Sequence, residues 1–185
     1  MDEEVQIGEV LITADRIAAR VRELGAAMAR AYAGREPVLV AIMKGCVMLL
    51  ADLVRAWPGP LSLEFVSAES YDGAKPGAVR VALPPDLGER LAGKPVLVVD
   101  DIYDTGRTIA AICRAVEALG PAEVRTLVLL RKCRAPEQPA AGAPPLRAPD
   151  WVGFEIPDRF VVGYGLDYRG RYRNLPHVAA LRHNG

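Results

Sequence analysis

Lys94-Pro95-Val96-Leu97-Val98-Val99-Asp100-Asp101-Ile102-Tyr103-Asp104-Thr105-Gly106-Arg107-Thr108 joins a strand, a cluster of polar groups and the start of a helix in one unbroken run. Val96 to Val99 is apolar and mostly β-branched behind a proline, the pattern of a strand buried on both faces of a parallel sheet. Asp100 and Asp101 are expected where that strand ends, and Asp104-Thr105-Gly106-Arg107-Thr108 sets hydroxyls, a glycine and amides directly before the helical run Ile109 to Leu119. Anions bind at such places in open α/β sheets, because unpaired helix amides and the helix dipole both favour negative charge. A single Asp before a helix is ordinarily its N-cap, and an acidic pair is ordinarily a solvated turn. Capping needs one side chain, whereas here three acids, two threonines and a glycine follow one buried strand. Acids beside a phosphate-type loop fit a ligand that carries hydroxyls and a phosphate together, such as a sugar phosphate.

The whole chain has 185 residues, enough for one α/β domain with a substantial core and too few for two comfortable ones. Lys plus Arg and Asp plus Glu balance at 23 each, so the global charge points to neither nucleic acid nor an anionic membrane. Cys46, Cys113 and Cys133 form no C-x-x-C and fall in or beside apolar runs, the usage of reduced, buried thiols. The N-terminus is acidic with no apolar leader, and no run approaches the ~18 apolar residues of a membrane span, so a cytoplasmic protein is expected. No G-x-x-x-x-G-K-[ST] occurs and Gly163-Tyr164-Gly165 is a mere fragment of a dinucleotide fingerprint, which disfavours ATP and NAD folds.

Residues 8 to 13 read as extended, and Thr13 as the cap of a helix with Ile17, Val21, Leu24 and Met28 on one face that stops near Gly34. Pro37 to Ile42 is a second buried strand and Cys46 to Trp57 a second helix, joined by Met43-Lys44-Gly45, which sets a cation and free amides at the same edge. Leu61 to Val66 and Val79 to Leu83 read as strands about the small, polar segment 67–77, by composition a long hairpin loop and by its length a candidate lid. Val124 to Leu130 is a strand that ends in Arg131-Lys132, residues 134 to 150 form an irregular Pro- and Ala-rich crossing, and Trp151 to Ile156 and Phe160 to Gly163 are extended. Strand and helix alternating in this way predict a mostly parallel sheet with helices on both faces. Lys44, Asp100 to Asp104, Lys132 and Asp167 should then converge on one rim.

Val98 to Thr108 resembles the phosphoribosyl-pyrophosphate motif of the type I phosphoribosyltransferases, which has a hydrophobic strand, an acidic pair and a D-T-G-x-T loop in fixed order. Over residues 5 to 180 the chain is similar to the hypoxanthine-guanine branch of that family. Met43-Lys44-Gly45, Glu69-Ser70-Tyr71, the central motif and Gly153-Phe154-Glu155-Ile156-Pro157-Asp158-Arg159-Phe160-Val161-Val162-Gly163-Tyr164-Gly165-Leu166-Asp167-Tyr168 match in order. The resemblance implies one domain over 1–185: a core at about 35–165, a hood from the N-terminal segment and C-terminal region, and a mobile lid at about 67–79. It also implies Mg²⁺-dependent transfer of 5-phosphoribosyl from phosphoribosyl pyrophosphate to hypoxanthine or guanine, in purine salvage, by a homodimer or homotetramer.

Carried over residue by residue, the resemblance has Asp100 and Asp101 hold the ribose 2′- and 3′-hydroxyls, directly or through Mg²⁺. Asp104 would be the general base for the purine N7 proton and part of the phosphoribosyl-pyrophosphate site, in which Thr105, Gly106, Arg107 and Thr108 would wrap the 5′-phosphate. Lys44 and the Gly45 amide would face pyrophosphate, as would Arg173, and Asp167, beside the purine, would bind a second Mg²⁺. Lys132 would donate to the purine O6, Phe160 would stack on the base and Val161 would read its edge, although on their own Phe160 and Val161 are ordinary core residues. Ser70 and Tyr71 would belong to the lid that excludes water. Asp100 stands where the family often has Glu, Arg107 where it often has Lys or Gly, and Cys133-Arg134 departs from the family beside Lys132, which makes base selectivity the loosest part of the match. Two other readings remain open. One is a phosphoribosyl-pyrophosphate sensor that binds nucleic acid through Arg169, Arg171, Arg173 and Arg182, against which the zero net charge weighs. The other is the same chemistry with a preference for xanthine, since these bases differ only at C2.

Overall fold

Thr13 ends the first strand and starts the first helix. In the computed structural model, which describes residues 5–71, 78–134 and 146–183, β1 (Val5–Ile12) leads into α1 (Ala14–Ala31), and Thr13 Oγ1 accepts a hydrogen bond from the Arg16 amide at 3.4 Å. Then come β2 (Val38–Met43), α2 (Val47–Ala56), β3 (Ser62–Tyr71), β4 (Ala78–Ala82) and α3 (Leu87–Leu91). β5 (Pro95–Tyr103), α4 (Arg107–Glu117), β6 (Glu123–Cys133), β7 (Trp151–Pro157), β8 (Val161–Val162) and β9 (Val178–His183) complete the order. The central sheet runs β4-β3-β2-β5-β6-β7, parallel except for β4, while β1, β9 and β8 form a separate antiparallel sheet.

Alternation along the central strands builds two cores. Leu39, Ala41, Leu97, Val99, Leu127 and Leu129 join Ile17, Val21, Leu24 and Met28 of α1 and Leu49, Leu50 and Leu53 of α2. Val38, Val40, Ile42, Val96, Val98 and Val128 join Leu87 and Leu91 of α3 and Ile109, Ile112, Cys113 and Val116 of α4. Burying each such aliphatic side chain is worth roughly 1.5–3 kcal/mol, so a sheet covered on both faces is the stable arrangement for these sequences. The outer strand β7 is capped by α1: Arg20 Nε and Nη2 donate to the carbonyls of Gly153 and Val152 at 2.9 and 3.0 Å, covering an edge that would otherwise be open to pairing. Where the crossing re-enters the sheet, the fully buried Thr126 donates through its amide and Oγ1 to Asp150 Oδ2, both at 2.8 Å.

The structure departs from the sequence reading in several places. β5 does not end at Val99 but continues to Tyr103, because β6 stays paired beside it as far as Tyr103↔Arg131. Asp100 and Asp101 are therefore inside a strand and not beyond it. β3 continues through Ser70 and Tyr71 against Val79 and Ala78 of β4, so the expected hairpin loop is shorter than 67–77. Residues 72–77 of the expected lid and 135–145 of the crossing lie outside the described residues. α4 starts at Arg107, ahead of the expected Ile109. Neither α3 nor β9 is marked by the sequence reading, and β9 finds its partner in β1 at the other end of the chain, with Ile7 opposite Leu181.

Candidate active site

β2 and β5 are neighbours, yet the chain leaves β2 toward β3 on one side and β5 toward β6 on the other. Such a reversal opens a crevice at the carboxyl ends of the two strands. The register shows where it opens: β2 pairs with β5 only as far as Ala41↔Val99, whereas β5 and β6 stay paired through Tyr103↔Arg131. A cleft of about 230 Å³ lies there, lined by Ile42, Met43, Gly45, Ala68, every residue from Asp100 to Gly106, Thr108 and Ile109.

Its floor is acidic. Asp100 is 5 % exposed, and its Oδ1 accepts the Asp101 amide at 3.0 Å. Burial pushes the Asp100 carboxyl well above its ordinary range and the Asp101 charge pushes it further; Asp101 is raised by burial too, against the lowering pull of its hydrogen bonds and of Arg173. The next strand end closes over this pair. A Cβ on Gly45 would stand 1.6 Å from Asp101 Oδ2, so only glycine admits the carboxylate there, and the Met43–Lys44 peptide before it is cis. Neighbouring hard oxygen donors, Asp100 buried and Asp101 half-buried, that are disfavoured as charges by desolvation suit a divalent cation such as Mg²⁺, which takes one or two carboxylates together with ligand phosphate and water. Among the described residues no cluster of three or more His, Cys, Asp or Glu side chains forms, so Asp100 and Asp101 are a pair and not a complete cage.

The wall opposite is the start of α4. Its N-cap is Gly106 at φ +80°, and no side chain caps the helix; Thr105 Oγ1 meets only the Arg107 amide, at 3.4 Å. Asp104 does not take the N-cap position that a single Asp before a helix ordinarily fills. The Tyr103 ring packs onto Gly106, whose added Cβ would fall 2.3 Å from the phenol oxygen, and burial raises the Tyr103 hydroxyl.

Asp104 instead turns toward the end of β6. Lys132 Nζ lies 3.0 Å from Asp104 Oδ2 and 3.4 Å from Asp158 Oδ1, with its side chain 12 % exposed. Arg134 Nη1 donates to Asp104 Oδ1 at 2.5 Å while its Nη2 donates to Asp158 Oδ2 at 2.7 Å. Asp158 sits just before Phe160, whose ring is 49 % exposed and meets Tyr168 edge-on at 5.6 Å, whereas Val161 is core. Phe160 is thus an aromatic face open to solvent, not the core residue its strand setting would give.

A third group sits on the segment after β8. Gly165, at φ +100°, presses on Gly45: an added Cβ would stand 2.0 Å from the Gly45 carbonyl oxygen. Arg173 Nη1 donates to the Gly165 carbonyl at 2.6 Å and its Nη2 pairs with Asp167 Oδ1 at 2.5 Å, while Tyr164 donates to Asp52 of α2 at 2.6 Å. The structure therefore brings Asp104 to Lys132, Asp101 to Gly45, and Asp167 to Arg173. Lys44 and Arg107 are exposed, and neither they nor Lys132, Phe160, Val161, Asp167 and Arg173 are among the cleft's lining residues. Side chains at Ser70 and Tyr71 lie outside the described residues. Arg134, Asp158, Tyr103 and Gly165 were given no role from sequence. The one available signal for Arg134 was its spacing of two from Lys132 along an extended run, which puts both on one side.

A phosphoribosyl transferase domain model matches residues 10–169. A hypoxanthine-guanine phosphoribosyltransferase of Staphylococcus aureus is 37% identical over 174 residues, covering 94% of this chain and 93% of the relative. The bifunctional protein TilS/HprT of Listeria monocytogenes is 36% identical over 176 residues; the chain spans about a quarter of that relative's length, 26%. Among solved structures, the hypoxanthine phosphoribosyltransferase of Trypanosoma cruzi in complex with the product IMP superposes with a TM-score of 0.83 at 33% identity, covering 95% of each chain. The domain match takes in the whole of the central sheet and the Staphylococcus match runs nearly the full length of both proteins, and so this chain belongs to the hypoxanthine-guanine phosphoribosyltransferase family.

Proposed function

We propose that this protein transfers the 5-phosphoribosyl group of phosphoribosyl pyrophosphate to hypoxanthine or guanine, giving IMP or GMP and pyrophosphate, as a purine salvage enzyme. The observation that carries this reading is the uncapped start of α4 facing the Asp100–Asp101 pair across one cleft, with Asp104 at its purine side held 3.0 Å from Lys132. A phosphate, a diol and a 6-oxopurine are the three groups these surfaces complement.

The roles follow from charge. The amides and hydroxyls of Thr105 to Thr108 bind the 5′-phosphate, where the helix dipole adds to the attraction. Asp100 and Asp101 accept the ribose hydroxyls and would hold Mg²⁺, and Asp167 would hold a second ion; the chemistry such ions would supply is neutralisation of negative charge on pyrophosphate. A purine nitrogen bonds to ribose C1 as the C1–O bond to pyrophosphate breaks. Lys44, the Gly45 amide and Arg173 meet the negative charge that accumulates on the leaving group. Asp104 takes the N7 proton, whose electron pair stays on the ring and cancels the positive charge gained there. Lys132 donates to O6, a contact that adenine cannot return, Phe160 covers the base and the Val161 backbone reads its edge.

Around this site, β1, β9 and β8 serve as the hood, residues 67–79 as the lid carrying Ser70 and Tyr71, and residues 35–165 as the core of a single domain. No helix among the described residues is long and apolar enough to cross a membrane, which fits a cytoplasmic enzyme. Assembly as a homodimer or homotetramer is supported by Leu63 and Phe65, which are exposed on the sheet face that carries α1 and α2. Nucleotide formation from phosphoribosyl pyrophosphate and Mg²⁺, with hypoxanthine, guanine, xanthine, adenine and uracil offered in parallel, tests the reading. Hypoxanthine or guanine should react; turnover of xanthine alone would move the activity to that base, and no turnover of any would leave a sensor.

A further inference from the structure

We propose that Arg134 is the positioning residue that holds Asp104 while the proton moves, an inference that rests on reading Asp104 as the base. Asp104, Lys132, Arg134 and Asp158 form a closed ring of alternating charge. Lys132 divides its ammonium between the two acids at 3.0 and 3.4 Å. Arg134 spans the same two acids with a rigid fork, Nη1 to Asp104 at 2.5 Å, and Nη2 and Nε to Asp158 at 2.7 and 3.1 Å. Lys132–Asp158 is the longest of these five contacts, and only Arg134 has two donors on one acid and one on the other.

The two cations cannot play the same part when a 6-oxopurine binds. O6 and N7 lie on one edge of the base, so a donor for O6 and an acceptor for the N7 proton must stand side by side. Lys132 and Asp104 do stand so, but the ammonium that turns to O6 loosens its hold on Asp104. Arg134 commits its fork to the two acids, Nη1 to Asp104 and Nη2 and Nε to Asp158, so it stays out of that exchange and keeps the carboxylate aimed. Its own place is fixed from the far side by Asp158, which follows β7, so the base is referenced to two strands of the sheet and not to its loop alone. General base catalysis needs this: the acceptor must lie within hydrogen-bond reach of the proton, and small misplacements are expensive in rate.

In the step itself the N7–H bond breaks, an O–H bond forms on Asp104, and the N–H electron pair remains on the purine. Arg134 neither gives nor takes a proton. Its effect should appear in kcat and leave phosphoribosyl pyrophosphate binding alone, since among the described contacts Arg134 touches neither Asp100 nor Asp101 and is not part of the cleft lining.

Steady-state kinetics with hypoxanthine and Mg²⁺ on the full chain test this. Arg134→Ala should lower kcat roughly 10- to 100-fold, the scale of a misplaced catalytic group, with KM for phosphoribosyl pyrophosphate unchanged and Arg134→Lys restoring part of the loss. Asp158→Asn should lower kcat in the wild-type background and cost clearly less beside Arg134→Ala, because its closest contact is the Arg134 anchor and only the longer Lys132 contact is left to lose. Wild-type kcat in Arg134→Ala overturns the proposal, as does a parallel loss of kcat and of affinity for both substrates, which marks a structural role. A wild-type protein that makes no nucleotide from any base overturns the functional reading itself; a wild-type protein that turns over beside an equally active Arg134→Ala overturns only the part assigned to Arg134.

Discussion

The two sides of the cleft are built in opposite ways. The β5–α4 side is one contiguous stretch in which strand, acids, glycine turn and helix start follow in chain order, and its geometry comes from local backbone: Asp100 and Asp101 alternate along a strand, and Gly106 turns at φ +80° to start the helix without a side-chain cap. The other side, which the proposed function gives to the purine, is assembled from separate segments. Lys132 and Arg134 come from the end of β6, Asp158 from beyond β7 and Asp104 from the first side, and ion pairs hold them together. The first side is suited to a ligand part that every substrate shares, and the second to the part that differs, because a surface made of side chains from several segments can change without altering the backbone at the start of α4.

The comparison can be broken first at Asp104, where the two sides meet. Asp104→Asn keeps the shape and removes the acceptor, so kcat should fall by roughly 10²–10⁴, with Mg²⁺-phosphoribosyl pyrophosphate still bound; unimpaired turnover in steady-state assays would sink the base assignment. Next is Gly45→Ala on the contiguous side. Its methyl would stand 1.6 Å from Asp101 Oδ2 and 2.5 Å from Asp101 Cγ, so the acid has to move. A loss of roughly 10²-fold in kcat/KM for phosphoribosyl pyrophosphate is expected, and an alanine variant with wild-type kcat/KM would mean that Asp101 is not held where the ribose binds.

The smallest effect concerns stability. Burial holds the folded Asp100 carboxyl above its ordinary range. A carboxyl raised by folding contributes fully below its unfolded value and loses that contribution as pH rises through the folded one. Metal-free Asp100→Asn should therefore melt above the wild type at neutral pH, by roughly 2–4 °C for each kcal/mol relieved, and the gap should close on acidification. Melting curves in chelator across pH 3 to 8, roughly the span over which a raised carboxyl titrates, check the sign: a gap that widens in acid contradicts it.

How much of this the sequence discloses follows the same division. The sheet's central strands are legible because their apolar runs have to be covered on both faces, and Thr13 reads correctly as a cap because its reach is three residues. The cleft's acids and glycine turn are legible as a motif for the same reason of locality. The extent of β5 to Tyr103 is not, since it depends on how far β6 runs beside it, and a polar Asp-Asp pair carries no strand signal of its own. β9 pairs with a strand at the opposite end of the chain, and the Arg134–Asp158 contact joins segments on either side of the long crossing. Neither leaves a periodic trace in the residues themselves.

The most direct test of this division of labour is the binding of Mg²⁺-phosphoribosyl pyrophosphate, without purine, to Asp104→Asn and Asp100→Asn by titration calorimetry. The account predicts wild-type affinity in Asp104→Asn and lost or strongly weakened binding in Asp100→Asn. Binding that survives in Asp100→Asn and fails in Asp104→Asn would contradict it.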